Sequence, residues 1–83
     1  KAGGNPAVIH TKWTIEEDIY LADTILRYVR GGGTQSDAIK IVAENTGRTV
    51  SATKYRWHAV VKERYKDELQ EALKERRRNR TNA

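Results

Sequence analysis

Past residue 6 the chain contains no proline, and glycine stands at only two places, Gly31-Gly32-Gly33 and Gly47. Glycine and proline are the residues that interrupt regular backbone, glycine above all just past a helix end. The two glycine sites therefore divide the chain into three uninterrupted stretches, and from Val50 to the end no breaker occurs at all. Each stretch shows apolar residues three and four apart, the helical period, and none shows the alternation of a strand. The reading that follows is an all-α domain of three helices joined by two short connections.

The first helix is the most strongly marked. Thr14-Ile15-Glu16-Glu17 is a capping box, in which the threonine hydroxyl and the glutamate carboxylate satisfy each other's backbone amides. Glu16, Glu17 and Asp18 suit the positive end of the helix dipole, and Arg27 and Arg30 the negative end. Ile15, Ile19, Ala22, Leu26 and Val29 make one apolar stripe, widened by Leu21 and Ile25, so the helix is expected from about Ile15 to Arg30. Thr34 opens a second, short helix with Asp37 as a weaker box, an inward stripe of Ala38, Ile41 and Val42 that Ile39 extends, and a stop at Asn45-Thr46-Gly47. Thr49 caps a third, in which Val50, Thr53, Trp57 and Val60 fall on a core face. Ser51, Lys54, Tyr55, His58 and Lys62 fall on a second face that is polar, basic and aromatic at once. The expected core is Trp13, Ile19, Leu26, Ile41, Val42, Trp57 and Val60, with the two tryptophans meeting across helices one and three. A joint of about three residues containing Gly47 makes helices two and three a helix-turn-helix, whose second helix enters a DNA major groove.

Composition narrows the function. The chain has 83 residues and no cysteine, so it holds no disulfide framework, thiol nucleophile or thiolate zinc site. A domain this small buries only about 60% of the surface its unfolded chain exposes. Apolar runs reach only three residues, which leaves no transmembrane helix and no signal-peptide core. Two separate histidines and no acid, base and nucleophile at catalytic spacing argue against an enzyme. No cofactor or metal is expected, since no second ligand lies at helical spacing from His58, and Gly31-Gly32-Gly33 follows a helix rather than the strand a phosphate loop needs. Charge is unevenly placed: residues 1–46 hold five bases and six acids, whereas residues 47–83 hold eleven bases and five acids. A surplus confined to one half points to a polyanion-binding surface, against the plain alternative of a solubilising one.

Two blocks carry a family resemblance. Trp13-Thr14-Ile15-Glu16-Glu17-Asp18 resembles the W-T-x-E-E-D opening of Myb/SANT repeats. Gly47-Arg48-Thr49, Ser51-Ala52 and Arg56-Trp57 resemble their G-R-T…R-W recognition helix. The wording Ile25 to Arg30, then Gly32-Gly33-Thr34-Gln35, resembles most the bacterial RsfA-type prespore-specific transcriptional regulators, which look like single Myb-like domains followed by a coiled coil. The resemblance covers residues 13–66. It implies a three-helix Myb-like helix-turn-helix domain with a basic helical C-terminal extension, sequence-specific binding of double-stranded DNA through residues 50–62, and transcriptional regulation. There are departures: helix two has Ala38 or Ile39 where the repeat carries a middle tryptophan, Thr46 stands where a leucine often precedes G-R-T, and the recognition face lacks base-reading asparagines. Only the docking mode carries over.

The resemblance places Lys54, Tyr55 and His58 at base-reading positions, with Ser51 at the helix start. A lysine there can donate to guanine O6 and N7; a tyrosine ring can touch a thymine methyl. Arg56 either neutralises a phosphate or pairs with an acid such as Glu17, the family's more frequent arrangement. Arg48 either touches a phosphate or ties the turn. Arg48, Lys62, Arg64, Lys66, Arg76, Arg77 and Arg78 are the candidate phosphate contacts, which position without reading sequence. Residues 1–12 read as a disordered arm or a leftover of expression. Residues 67–83 read as a basic tail, its thin stripe of Val61, Tyr65, Leu69 and Leu73 (or Ala72) leaving three forms open: a continuation of helix three, a fourth helix folding back, or the start of a coiled coil that pairs two copies. No membrane is expected as partner. The location implied is the bacterial cytoplasm and nucleoid, or the nucleus of a eukaryote. Two other roles compete with gene regulation: a SANT-like protein-interaction module, and an architectural or packaging protein of a phage or mobile element.

Overall fold

Four helices build the fold, in a computed structural model that describes residues 12–82 and side chains as far as Arg77. The expected arm lies outside the described residues except for Lys12. Helix α1 spans Ile15–Arg30 and α2 spans Gln35–Thr46. The third helix, α3, starts as Val50–Arg56, passes through a π-helical turn at Trp57–Val61 and finishes with Lys62–Arg64. Helix α4 spans Lys66–Asn82. No strand occurs among the described residues. The fold is the all-α helix-turn-helix that the breaker pattern predicts.

Local chemistry sets each boundary. The Glu17 amide donates to Thr14 Oγ1 at 3.0 Å and the Thr14 amide donates to Glu17 Oε1 at 2.9 Å, closing the capping box. Thr34 and Thr49 accept from the amides of Asp37 and Ala52 at 3.1 and 3.0 Å, so each of the first three helices begins on a threonine cap. The glycines act as stops because backbone with positive φ is cheap only for glycine. Gly32 has φ 97° after α1, and Gly47 has φ 74° after α2.

Leu21, Ile25, Val29, Ala38, Val42, Trp57, Val61 and Ala72 lie wholly or almost wholly out of water in one cluster. The Trp57 indole N–H donates to Gln35 Oε1 at 2.9 Å, which satisfies the polar edge of the largest buried ring. Leu26, Val42 and Trp57 are buried as expected. Trp13 and Val60 are half-buried against the cluster, and Ile41 is half-buried.

Three of the expected inward positions are corrected. Ile19 is 52% exposed and Ile15 74% exposed. The inward phase of the first turns of α1 belongs to Asp18, which is 5% exposed and neutralised from α3, so the buried stripe runs Asp18, Leu21, Ala22, Ile25, Val29 and the two isoleucines ride on its outer flank. Val50, at the tip of α3, is likewise exposed.

The C-terminal stretch resolves among its three forms. The helix breaks at Tyr65, with φ −117° and ψ 23°. The next segment, α4, then lies along α1 and buries Leu69 and Ala72 in the common core, with Tyr65 and Leu73 packed against it. Arg30 Nε and Glu75 Oε1, 3.8 Å apart, join the last residue of α1 to the middle of α4. The core therefore runs on past residue 66. The stripe that a two-copy seam needs is used within the chain.

Candidate nucleic-acid interface

Polar clamps hold α3 against the start of α1. Arg56 Nε donates to Asp18 Oδ1 at 2.9 Å and Arg56 Nη2 to Asp18 Oδ2 at 2.7 Å, a two-pronged pair that the planar guanidinium is shaped to make. The carboxylate holds the Arg56 pKa above its already high ordinary value. Arg64 Nη1 lies 3.5 Å from Asp18 Oδ2. The acid that receives Arg56 is thus Asp18, not Glu17, one residue earlier in the same turn.

Glu17 belongs to Arg48. Arg48 Nη2 donates to Glu17 Oε1 at 2.9 Å and to the Lys12 carbonyl at 3.0 Å, and its guanidinium stacks 4.3 Å from the Trp13 ring centre. Burial pushes the Glu17 carboxyl up, but the Arg48 hydrogen bond, the Thr14 amide and the Arg48 charge together hold it below its ordinary value. The Arg48 side chain is 10% exposed and ties the helix-turn-helix turn to the start of α1, the second of the two roles its position left open.

With the backside of α3 fixed, its outer side faces water. Ser51, Lys54, Tyr55 and His58 are all exposed, and Lys62 is half-buried at the end of the same face. The Lys62 amide donates to the carbonyl of Trp57, five residues back, which is the π-helical bond. Trp57 and Val61, at the two ends of that wider turn, are both fully buried in the core, while the Lys62 charge reaches His58. Partial desolvation and then the charges of Lys62 and Lys54 hold His58 below its ordinary pKa of 6.5. The first turn of α3 carries no acid, unlike those of α1 and α2. The fold thereby gathers onto one face the four positions predicted to read bases.

The predicted phosphate contacts disperse. Arg64 shares Asp18 yet keeps a largely exposed side chain, and Lys66 lies 3.6 Å from Glu63 at the surface. Arg76 sits away from the α3 face, in a corner lined by Val29, Thr34, Ser36 and Leu73. Arg77 is exposed, and the side chain of Arg78 lies outside the described part. Sequence reasoning missed the inward part of Asp18, which an acid at a core phase of α1 signals, and left the folding back of α4, which the buried pair Leu69 and Ala72 carries, as one of three forms.

Fold and face define a small helix-turn-helix domain whose last helix of the pair turns an open basic surface to solvent. No protein-family model matches the chain, and no solved structure matches it. A curated relative does: the chain is 38% identical over 65 residues, 78% of its length, to the sporulation-specific transcriptional regulator GerR of Bacillus subtilis strain 168. The chain covers 34% of that relative's length. The likeness to RsfA-type sporulation regulators carried by the wording Ile25 to Arg30 and Gly32-Gly33-Thr34-Gln35 thus holds, and the relative is a regulator rather than an enzyme.

Proposed function

We propose that the chain is a DNA-binding domain that seats α3 in the major groove of double-stranded DNA and serves transcriptional regulation in a spore-forming bacterium. The observation that carries this is the open row Lys54, His58 and Lys62 on a helix whose opposite side is clamped by Asp18 and filled by Trp57. A rigid backing with an uncovered basic face is what groove insertion needs. Lys54, in the second turn, is placed to donate to guanine; Ser51, Tyr55 and His58 flank it; Lys62 and Arg64 lead toward the phosphate backbone. The relative, a sporulation-specific transcriptional regulator, agrees with this reading. Such a regulator works in the cytoplasm, at the nucleoid. A second copy, where the DNA site is a repeat, pairs through residues other than the α4 stripe, which the core occupies.

Selection from a random duplex pool followed by Lys54→Ala tests the proposal. The expected result is an enriched motif, binding that weakens with salt by about 0.9 log units per phosphate contact and log unit of salt, and a loss of about 1–3 kcal/mol in Lys54→Ala with relaxed preference at one base pair. Equal affinity and equal preference in the variant refute it.

A further inference from the structure

The outer side of α3 is not uniform. Residues four apart share a helix face, so Lys54, His58 and Lys62 form one row, and Tyr55 and Ala59 form a second beside it. Ala52 precedes Tyr55 by one turn on that second flank, and Ser51 stands between the rows. Ala52, Tyr55 and Ala59 are exposed. Tyr55 is 74% exposed, far more than Tyr28 at 38%, while Tyr20 accepts a hydrogen bond from Asn45 and Tyr65 packs on the core. A large aromatic ring between two alanines, projecting into water beside a lysine row, is an apolar strip held ready for an apolar group. The row closes at Glu63, whose carboxylate is balanced by Lys66 at 3.6 Å.

We propose that this second row reads the 5-methyl group of a thymine adjacent to the base pair that the lysine row faces. The inference rests on the reading of α3 as the groove helix and adds which base the site must contain. In the major groove guanine offers two acceptors and thymine alone offers a methyl. The lysine row supplies donors and suits guanine. The Tyr55 ring edge and the Ala59 methyl supply apolar surface and suit the thymine methyl. The target is therefore a duplex in which guanine and thymine occupy neighbouring positions.

The test uses the site selected by the chain, with each thymine replaced in turn by deoxyuridine, which lacks only the methyl. Burial of one methyl-sized group corresponds to about fourfold in affinity. The expected result is about fourfold weaker binding at one thymine, no discrimination between thymine and deoxyuridine there in Tyr55→Ala, and discrimination kept in Tyr55→Phe. Binding indifferent to deoxyuridine at every position, a selected site without thymine, or discrimination that survives in Tyr55→Ala overturns the inference while leaving α3 as the groove helix. Failure to bind any duplex overturns the groove assignment and this inference with it.

Discussion

Replacing Asp18 by alanine removes the acid on which α3 is hung. Asp18 is nearly out of water, and it faces two prongs of Arg56 at 2.9 and 2.7 Å and Arg64 at 3.5 Å. Removing one partner of a buried pair costs about 3–5 kcal/mol, because the other charge is left unsatisfied in a poor solvent. The side chains of Arg56 and Arg64 are 25% and 60% exposed, so water can reach both once the carboxylate has gone. That lowers the expected cost to about 2–3 kcal/mol. In a domain of this size the melting temperature should fall by about 10–20 °C.

Asp23→Ala is the internal control. Asp23 pairs with Arg27 one turn along α1, but both side chains are more than half exposed. Such a pair contributes about 0.3–0.5 kcal/mol. Thermal unfolding followed by circular dichroism should separate the two variants widely. The double variant Asp18→Ala/Arg56→Met should recover part of the loss, since no stranded guanidinium remains on Arg56. Equal, small losses for Asp18→Ala and Asp23→Ala would refute the idea that the pair anchors α3.

Leu69→Ala should cost about 2–4 kcal/mol in chemical denaturation, because Leu69 is buried between α4 and α1; a change within about 0.5 kcal/mol, typical of surface sites, would show α4 to be a dispensable tail. Glu17 has a folded pKa below its ordinary 4.5, so its contribution is present above that value and is lost as pH falls through the folded pKa. Acid unfolding of Glu17→Gln should accordingly lack that part of the pH dependence, and an unchanged acid limb would count against the Arg48 contact. His58 lies below 6.5 in the free chain, and a nearby phosphate raises it. DNA affinity should therefore gain most below the free pKa and lose that gain as pH rises through the pKa of the complex, with His58→Gln flat over the same range in fluorescence anisotropy.

Much of the fold was legible because local chemistry set it. The capping box at Thr14 and Glu17, the positive-φ glycines and the threonine caps fix helix ends without help from distant residues. The phase of α1 was not legible in that way. Ile15 and Ile19 are ordinary inward residues by period, and only the arrival of Arg56 from 38 positions away lets Asp18 take their place. The fate of Arg48 was undecided for a related reason: a guanidinium beside a turn can serve a phosphate or a carboxylate, and the position of Glu17 decides between them. The exposed face of α3 followed from spacing alone, since Thr53, Trp57 and Val60 lie opposite it and Arg56 turns back to Asp18. The break at Tyr65 has no glycine or proline to announce it, so the folding back of α4 could only be one choice among three.

The central claim is that the outer face of α3 meets the duplex. Amide chemical-shift mapping during titration with the selected DNA tests it most directly. The largest shifts are expected at Ser51, Lys54, Tyr55, His58 and Lys62, with α4 beyond Leu69 nearly still. Shifts concentrated on α4, or on the exposed isoleucines of α1, with α3 unmoved, would contradict it.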